Sequence, residues 1–348
     1  MRLFINGRFA VQPLSGVQRF AVEIAGALQA SDSRYALLTP PGGSGCWPGA
    51  REVGRRTGQG WEQMDLPRAV AGDLLLNLGN TGPVLARRQI VVIHDAGVFS
   101  TPQAYSQKFR LWYKFLQAAL IRRGAAIITV SEFSRQEILR HLPARPAQVR
   151  VIPEGADHMR RTGTDPGILA EHGLEPGRFV LGVGTAAEHK NLSALGLLAQ
   201  RLHERGTPLV LAGGMGGAAF KVVQLPQLAR YIGRVSDAQL KTLYQNAGCF
   251  VFPSRYEGFG LPPVEAMACG CPVVAADILA LRETCAGAVQ FCDPDSPEDI
   301  AAQVLAVLDS PARRQELRAA GQARAARFTW ARAAAVLNDA VQEFQENT

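Results

Sequence analysis

The chain has 348 residues, 47% of them hydrophobic, with six cysteines and a formal net charge of +7. That length supplies two cores of ordinary domain size, while no stretch reaches the roughly 18 uninterrupted apolar residues of a membrane span. The start "MRLFINGRF" lacks the apolar core of a secretory signal, so the sequence predicts a cytoplasmic protein, and the excess of positive charge suits a nucleotide, a phospholipid surface or nucleic acid as partner.

Before residue 155, apolar and β-branched runs recur as "RLFIN", "YALLT", "LLLNL", "IVVIHD", "AIITVS" and "VRVIP". Runs of four to six apolar residues without strict alternation are what strands covered on both faces need, so this half reads as a parallel sheet wrapped by helices. After the first strand, Val17, Phe20, Ala21, Ile24 and Leu28 line one helical face, and Gly16 falls at the helix start. It is either a plain turn glycine or a place where free amides meet a phosphate. His94 and Asp95 end the strand "VVIHD". A histidine there is either a core residue bonded to backbone or, at a strand's carboxyl end, a contact for a sugar or a leaving phosphate. Residues 104–125 interleave Lys108, Arg110, Lys114, Arg122 and Arg123 with Phe109, Trp112, Phe115 and Leu116. The segment fits an anionic membrane surface as well as it fits a core helix with a solvated basic face. "SRQE", Ser134 with Glu137, predicts a helix start.

"PEGADHMRRTGTDPG", polar and without apolar period, reads as a domain linker. The second half repeats the strand rhythm with "FVLGVG", "PLVLAG", "ARYIG", "GCFVFP", "PVVAA" and "AVQFC", and "SDAQ", Ser236 with Gln239, again predicts a capped helix. Gly182, Gly184 and Ala187 spell G-x-G-x-x-A after a strand, but the next strand, "PLVLAGG", ends in glycines. A dinucleotide site wants an acid there to hold the ribose, so Lys190, beside Asn191 as cap and the helix face Leu192, Leu195, Leu198 and Leu202, reads instead as a phosphate site. In "SRYEGFGLPPVEAMACG", Glu257 lies in a tight loop, Pro263 in a first helical turn, Glu265 on the helix and Gly270 at its stop. The amides of Gly258, Phe259 and Gly260 then sit near a helix start between two carboxylates, suited to an anion or a sugar oxygen. The final segment places Trp330, Ala334, Leu337, Val341 and Phe344 on one helical face with no strand of its own. The cysteines show no C-x-x-C spacing and read as core thiols rather than metal ligands.

With these residues assembled, the chain resembles a retaining glycosyltransferase of family 4. The resemblance runs from "SGVQRFAVEIA" to "FTWARAAAVL" and is most specific in "PSRYEGFGLPPVEAMACGCPVV", an E-x7-E signature with both glutamates present; "VSEFSRQEI", "VIPEGAD" and "HKNL" match secondary blocks. It implies the α/β architecture called GT-B, two Rossmann-like doubly wound domains facing across a cleft. An acceptor-binding domain would span 1–155, completed by a helix 329–348, and a nucleotide-sugar domain would span 170–328. Glu257 would hold donor-sugar hydroxyls, Gly258, Phe259, Gly260 and Leu261 would line the sugar and phosphate, and Glu265 would bind the ribose. Gly16, Gly184, Thr185 and Lys190 would meet the diphosphate, His94 would lie near the reacting carbon, and Asp95 and Arg19 would face the acceptor. Relatives often carry Glu-Pro-Arg-Lys where this chain has Ala187, Glu188, His189 and Lys190, and many have an arginine near Thr185. One diphosphate cation is thus lost, and Arg255 or Arg19 is the replacement their positions suggest.

The implied reaction transfers a hexose from a nucleoside diphosphate sugar to a glycan or lipid-linked glycan, with the anomeric configuration kept and neither metal nor cofactor. Segments like "VGT…KNL" resemble bacterial mannosyl- and rhamnosyltransferases of surface polysaccharide assembly, which favours GDP-mannose over UDP-glucose or a dTDP-sugar. Two rival classes share some of these features: a glycoside hydrolase using Glu257 and Glu265, and a non-catalytic binder of anionic surfaces. The anion-binding backbone and Lys190 disfavour the first. Dispersed arginines and the lack of an aromatic-basic motif disfavour nucleic acid as the partner.

Overall fold

The computed structural model describes residues 2–215 and 224–346. The chain forms two compact units, one of Met1–Ser100, Arg110–Gly155 and Thr329–Thr348, the other of Thr101–Phe109 and Ala156–Phe328. The short segment Thr101–Phe109 thus departs from the expected boundary, because Tyr105 stacks on His189 (centroids 6.0 Å apart, planes at 9°) and on Phe109.

The first unit holds seven strands: β1 Leu3–Asn6, β2 Tyr35–Thr39, β3 Arg51–Glu52, β4 Leu74–Asn77, β5 Gln89–Val92, β6 Ala126–Thr129 and β7 Val149–Val151. They run parallel in the order β3-β2-β1-β4-β5-β6-β7. Strand β3 escapes the sequence reading because both its residues are exposed and carry no apolar signal. By register Phe4, Leu75 and Val91 share one face of the sheet, where Trp61 and Leu66 pack with Phe4 and Leu75, and Leu120 and Ile138 pack with Val91. Covered faces explain why β1 and β4 are buried at every position. The helix expected to start at Ser134 begins earlier, at Glu132. Ser131 is the residue whose side chain accepts from the Ser134 amide, while the Ser134 hydroxyl is spent on the His94 carbonyl. The last helix, Trp330–Glu346, lies against Gly16–Ser31, with Trp330 edge-on to Phe20 and Asn338 accepting from the Tyr35 hydroxyl at 2.9 Å. Of its predicted face, Trp330, Ala334, Leu337 and Val341 are buried and Phe344 is half-buried.

The second unit holds β8 Val180–Val183, β9 Leu209–Ala212, β10 Arg230–Gly233, β11 Cys249–Phe252, β12 Val273–Ala276 and β13 Gln290–Cys292. All are parallel, in the order β10-β9-β8-β11-β12-β13, the doubly wound arrangement that reverses direction between β8 and β11. Its core includes Leu192, Leu195, Leu198 and Leu202, the face expected after Lys190. Ser236 and Gln239 form the expected capping box. Cys249, Cys271, Cys285 and Cys292 are buried, and burial pushes the Cys249 thiol up to about 12. The stretch read as a linker is not a free tether: Glu154, Ala156, His158 and Met159 are each 5% exposed or less. Its polar composition misled because two of its polar side chains have buried partners.

Candidate active site

In a doubly wound sheet, ligands bind beyond the carboxyl ends of the strands where the order reverses. In the second unit that point lies between the loop after β8, holding Gly184, Thr185 and Lys190, and the loop after β11, holding Arg255 to Gly260. The glycines ending "PLVLAGG" are explained by crowding: a Cβ on Gly213 would stand 2.0 Å from the Gly184 carbonyl oxygen. The two loops are stitched together by backbone, the Arg255 amide donating to the His189 carbonyl at 2.9 Å. Asn191 was expected to cap a helix. It instead adopts a left-handed conformation (φ 56°), and its buried amide group donates to the carbonyls of Pro253 (3.0 Å) and Pro294 (2.7 Å). Asn191 therefore pins the Lys190 turn to the β11 loop, and the helix proper starts only at Gly196.

Held this way, the Lys190 ammonium donates to both oxygens of Glu257, at 2.7 and 3.0 Å, and lies 5.5 Å from the centre of the Phe252 ring. Beyond Glu257, Gly260 takes a left-handed conformation (φ 89°), where a Cβ would lie 2.3 Å from a Leu281 methyl, and the helix Leu261–Ala268 begins. Pro262 and Pro263 carry no N–H, so Leu261 supplies the first-turn amide without a helical partner, and the positive dipole end lies beside Glu257. The Phe259 ring is buried edge-on against Phe328, so it anchors the loop and leaves only its backbone for a ligand. Leu261 is buried as well. Glu265, 6% exposed, has its carboxylate at 3.0 Å from His158 Nε2 and accepts from the Tyr244 hydroxyl at 3.4 Å. Burial chiefly, and then the nearby Glu265 charge, push the Tyr244 phenol well up.

Where relatives carry a second cation beside Lys190, this chain has a neutral side chain. His189 stands in the arginine's place, but burial, and secondarily the Lys190 charge, push its imidazole down to about 4, so it is neutral near pH 7. Arg255 is turned to Asp295 at 2.6 Å. In the first unit Arg19 lies 3.7 Å from Glu23, one helical turn on. Both proposed replacements thus have carboxylates of their own.

Gly16 begins the helix Gly16–Ser31, as expected. Asp95 accepts from the Gly97 amide at 2.7 Å, closing a tight turn. His94 is 4% exposed and engaged at every polar atom. Its amide donates to Asn80 Oδ1 (2.7 Å) and its carbonyl accepts from Ser134; Nε2 lies 3.2 Å from the Leu78 carbonyl and Nδ1 3.3 Å from Glu154. A carbonyl can only accept, so Nε2 is the ring nitrogen that faces it as donor, while Nδ1 faces the Glu154 carboxyl. Both ring nitrogens thus have partners inside this unit, and a contact with a sugar would require one of these bonds to open. Near the reversal of this sheet, Asn6, Arg8, Glu62, Asn77 and Thr81 form a buried polar network.

Residues 168–324 match the family described as Glycosyl transferases group 1, and residues 74–160 match Glycosyltransferase Family 4. O-antigen chain mannosyltransferase B of Escherichia coli is 34% identical over 71% of this chain and 68% of its own length. The chain belongs to the family 4 glycosyltransferases. O-antigen chain mannosyltransferase RfbU of Salmonella typhimurium is 26% identical over 64% of this glycosyltransferase and 61% of its own length, so the match leaves over a third of that relative unspanned. Among solved structures, HepE of Anabaena, in complex with UDP and glucose, superposes with a TM-score of 0.74 at 16% identity over 98% of each chain, a likeness of GT-B fold.

Four polar residues of this glycosyltransferase escaped sequence reasoning: Asn80, Glu154, His158 and Tyr244. Glu154 and His158 lie in the supposed linker and Tyr244 within a helical pattern, where no local signal separates a buried polar partner from a solvated one. Asn80 stands at a positive φ (63°) that asparagine tolerates, and "GNTG" held the only hint of it.

Proposed function

We propose that this glycosyltransferase moves a mannosyl group from GDP-mannose to a glycan or lipid-linked glycan acceptor, with retention, in polysaccharide assembly. The observation that carries this reading is the Lys190–Glu257 pair at the strand reversal, beside the start of helix Leu261–Ala268. On donor binding the pair separates: Lys190 turns to the diphosphate, and Glu257, released, accepts from sugar hydroxyls. The amides of Gly258, Phe259 and Gly260 and the helix dipole receive charge as the phosphate leaves, the kind of preorganised stabilisation that lowers such barriers most. Gly184 and Thr185 edge the phosphate and Glu265 accepts from the ribose. With the leaving group already a stable diphosphate, the reading requires no metal. The mannosyl assignment is supported by relatives named as mannosyltransferases.

Acceptor binding is assigned to the first unit, with Gly16, Arg19, His94 and Asp95 as its candidate residues. In the helix Gln107–Arg122, Leu111 (70% exposed), Trp112 and Phe115 (63% exposed) are open to solvent with the exposed Arg122 near its end, a surface suited to an anionic leaflet carrying a lipid-linked acceptor. No helix among the described residues is long and apolar enough to cross a membrane.

A thermal-shift panel of GDP, UDP, dTDP and ADP tests the base, since a ligand that binds the folded state raises its melting point. GDP should give the largest rise. Incubation with GDP-mannose and acceptor should release GDP, leave an α-configured product and be insensitive to EDTA. A UDP-only shift would reject the donor, and hydrolysis of glycosides without any nucleotide dependence would reject the class of mechanism. Flotation with and without anionic lipid tests the membrane surface; equal recovery removes it.

A further inference from the structure

We propose that His158 is a positioning residue that holds Glu265 in the one orientation able to accept from both ribose hydroxyls. This rests on the reading of Glu265 as the ribose acceptor. The carboxylate has a protein partner on each oxygen: His158 Nε2 at 3.0 Å from Oε1, and the Tyr244 hydroxyl at 3.4 Å from Oε2. Facing an ionised carboxylate, Nε2 serves as donor, and each oxygen keeps a second lone pair for a ribose hydroxyl. The side chains of His158 and Glu265 are 3% and 8% exposed, so neither has bulk water as an alternative partner. His158 is itself held firmly. It opens the one-turn helix His158–Arg161, behind Ala156, whose amide donates to the Phe328 carbonyl at 3.1 Å.

A free glutamate has three torsions to freeze before it can bind two hydroxyls at once, and a pinned one has frozen them before the ligand arrives. Pinning therefore rewards the ribose specifically, whereas a purely structural ion pair would affect ribo- and deoxynucleotides alike. The test compares calorimetric affinities for GDP and 2′-deoxy-GDP, with UDP and 2′-deoxy-UDP in parallel, on the full chain. Wild type should prefer the ribo form by roughly tenfold or more, as a hydrogen bond to a charged acceptor allows. H158A should lose most of that preference with the deoxy affinity unchanged, and KM for donor should rise while kcat holds. H158Q, whose amide can still donate to Oε1, should recover the preference. H158N, too short to reach, should behave as H158A and serves in its place if H158A does not fold. A wild-type preference in H158A or H158N, with E265A abolishing it, overturns the role of His158 alone. A preference that survives E265A overturns the ribose reading of Glu265, and this inference with it.

Discussion

Replacing Lys190 with methionine isolates the interaction on which the donor site is built. The wild-type side chains are 19% (Lys190) and 10% (Glu257) exposed, so K190M removes the ammonium from both oxygens of a largely buried carboxylate. Methionine loses the ammonium's place over the Phe252 ring but little volume, so the cost is chiefly that of an uncompensated charge. For a pair partly open to water that is about 2–4 kcal/mol, below the 3–5 of a fully buried pair. In a unit of this size each kcal/mol moves the melting midpoint by about 2–4 °C, so K190M should melt roughly 4–16 °C lower. E257Q in the same chain removes the stranded charge, and the double variant K190M/E257Q should regain most of that loss without regaining nucleoside diphosphate binding. The assay is a thermal melt of the four chains alongside calorimetric GDP titration. A K190M midpoint equal to wild type, or full GDP affinity in the double variant, would refute the reasoning.

Because His189 is held neutral with its imidazole lowered from 6.5 to about 4, the unfolded chain takes up a proton that the folded chain refuses between those values. Its contribution is therefore complete above about pH 6.5 and lost as pH falls towards 4, about 3 kcal/mol in all; denaturant unfolding should show a shallower acid loss in H189Q than in wild type, and parallel curves would contradict the assignment. In the first unit, Glu62 accepts from Asn6 at 2.8 Å and Thr81 at 3.0 Å and lies 3.4 Å from Arg8, so E62A should cost about 3–5 kcal/mol in urea unfolding and E62Q distinctly less. A Cβ at Gly213 would meet the Gly184 carbonyl oxygen at 2.0 Å, so G213A should displace the Lys190 loop and weaken GDP binding at least tenfold, whereas G45A, at an open position, should leave it unchanged.

Every apolar strand of both sheets could be read from sequence, because burial on both faces demands continuous Val, Ile and Leu, a local and repetitive signal. The E-x7-E stretch was equally legible: Gly260 and the two prolines dictate a loop that turns into a helix, and that geometry carries its two glutamates wherever it occurs. Partnership was not legible. Nothing near Lys190 in the chain indicates that Glu257, 67 residues on, closes on it, or that Asn191 ties the two loops instead of capping a helix. The same holds for His94, whose place at a strand end was evident but whose nitrogens are taken by Leu78 and Glu154. Sequence determines where each polar group must leave the sheet, since that depends on neighbours along the chain. Which of those groups meet is decided by strand order and loop packing, because hydrogen bonds act over about 3 Å between atoms the chain brings together only once it is folded.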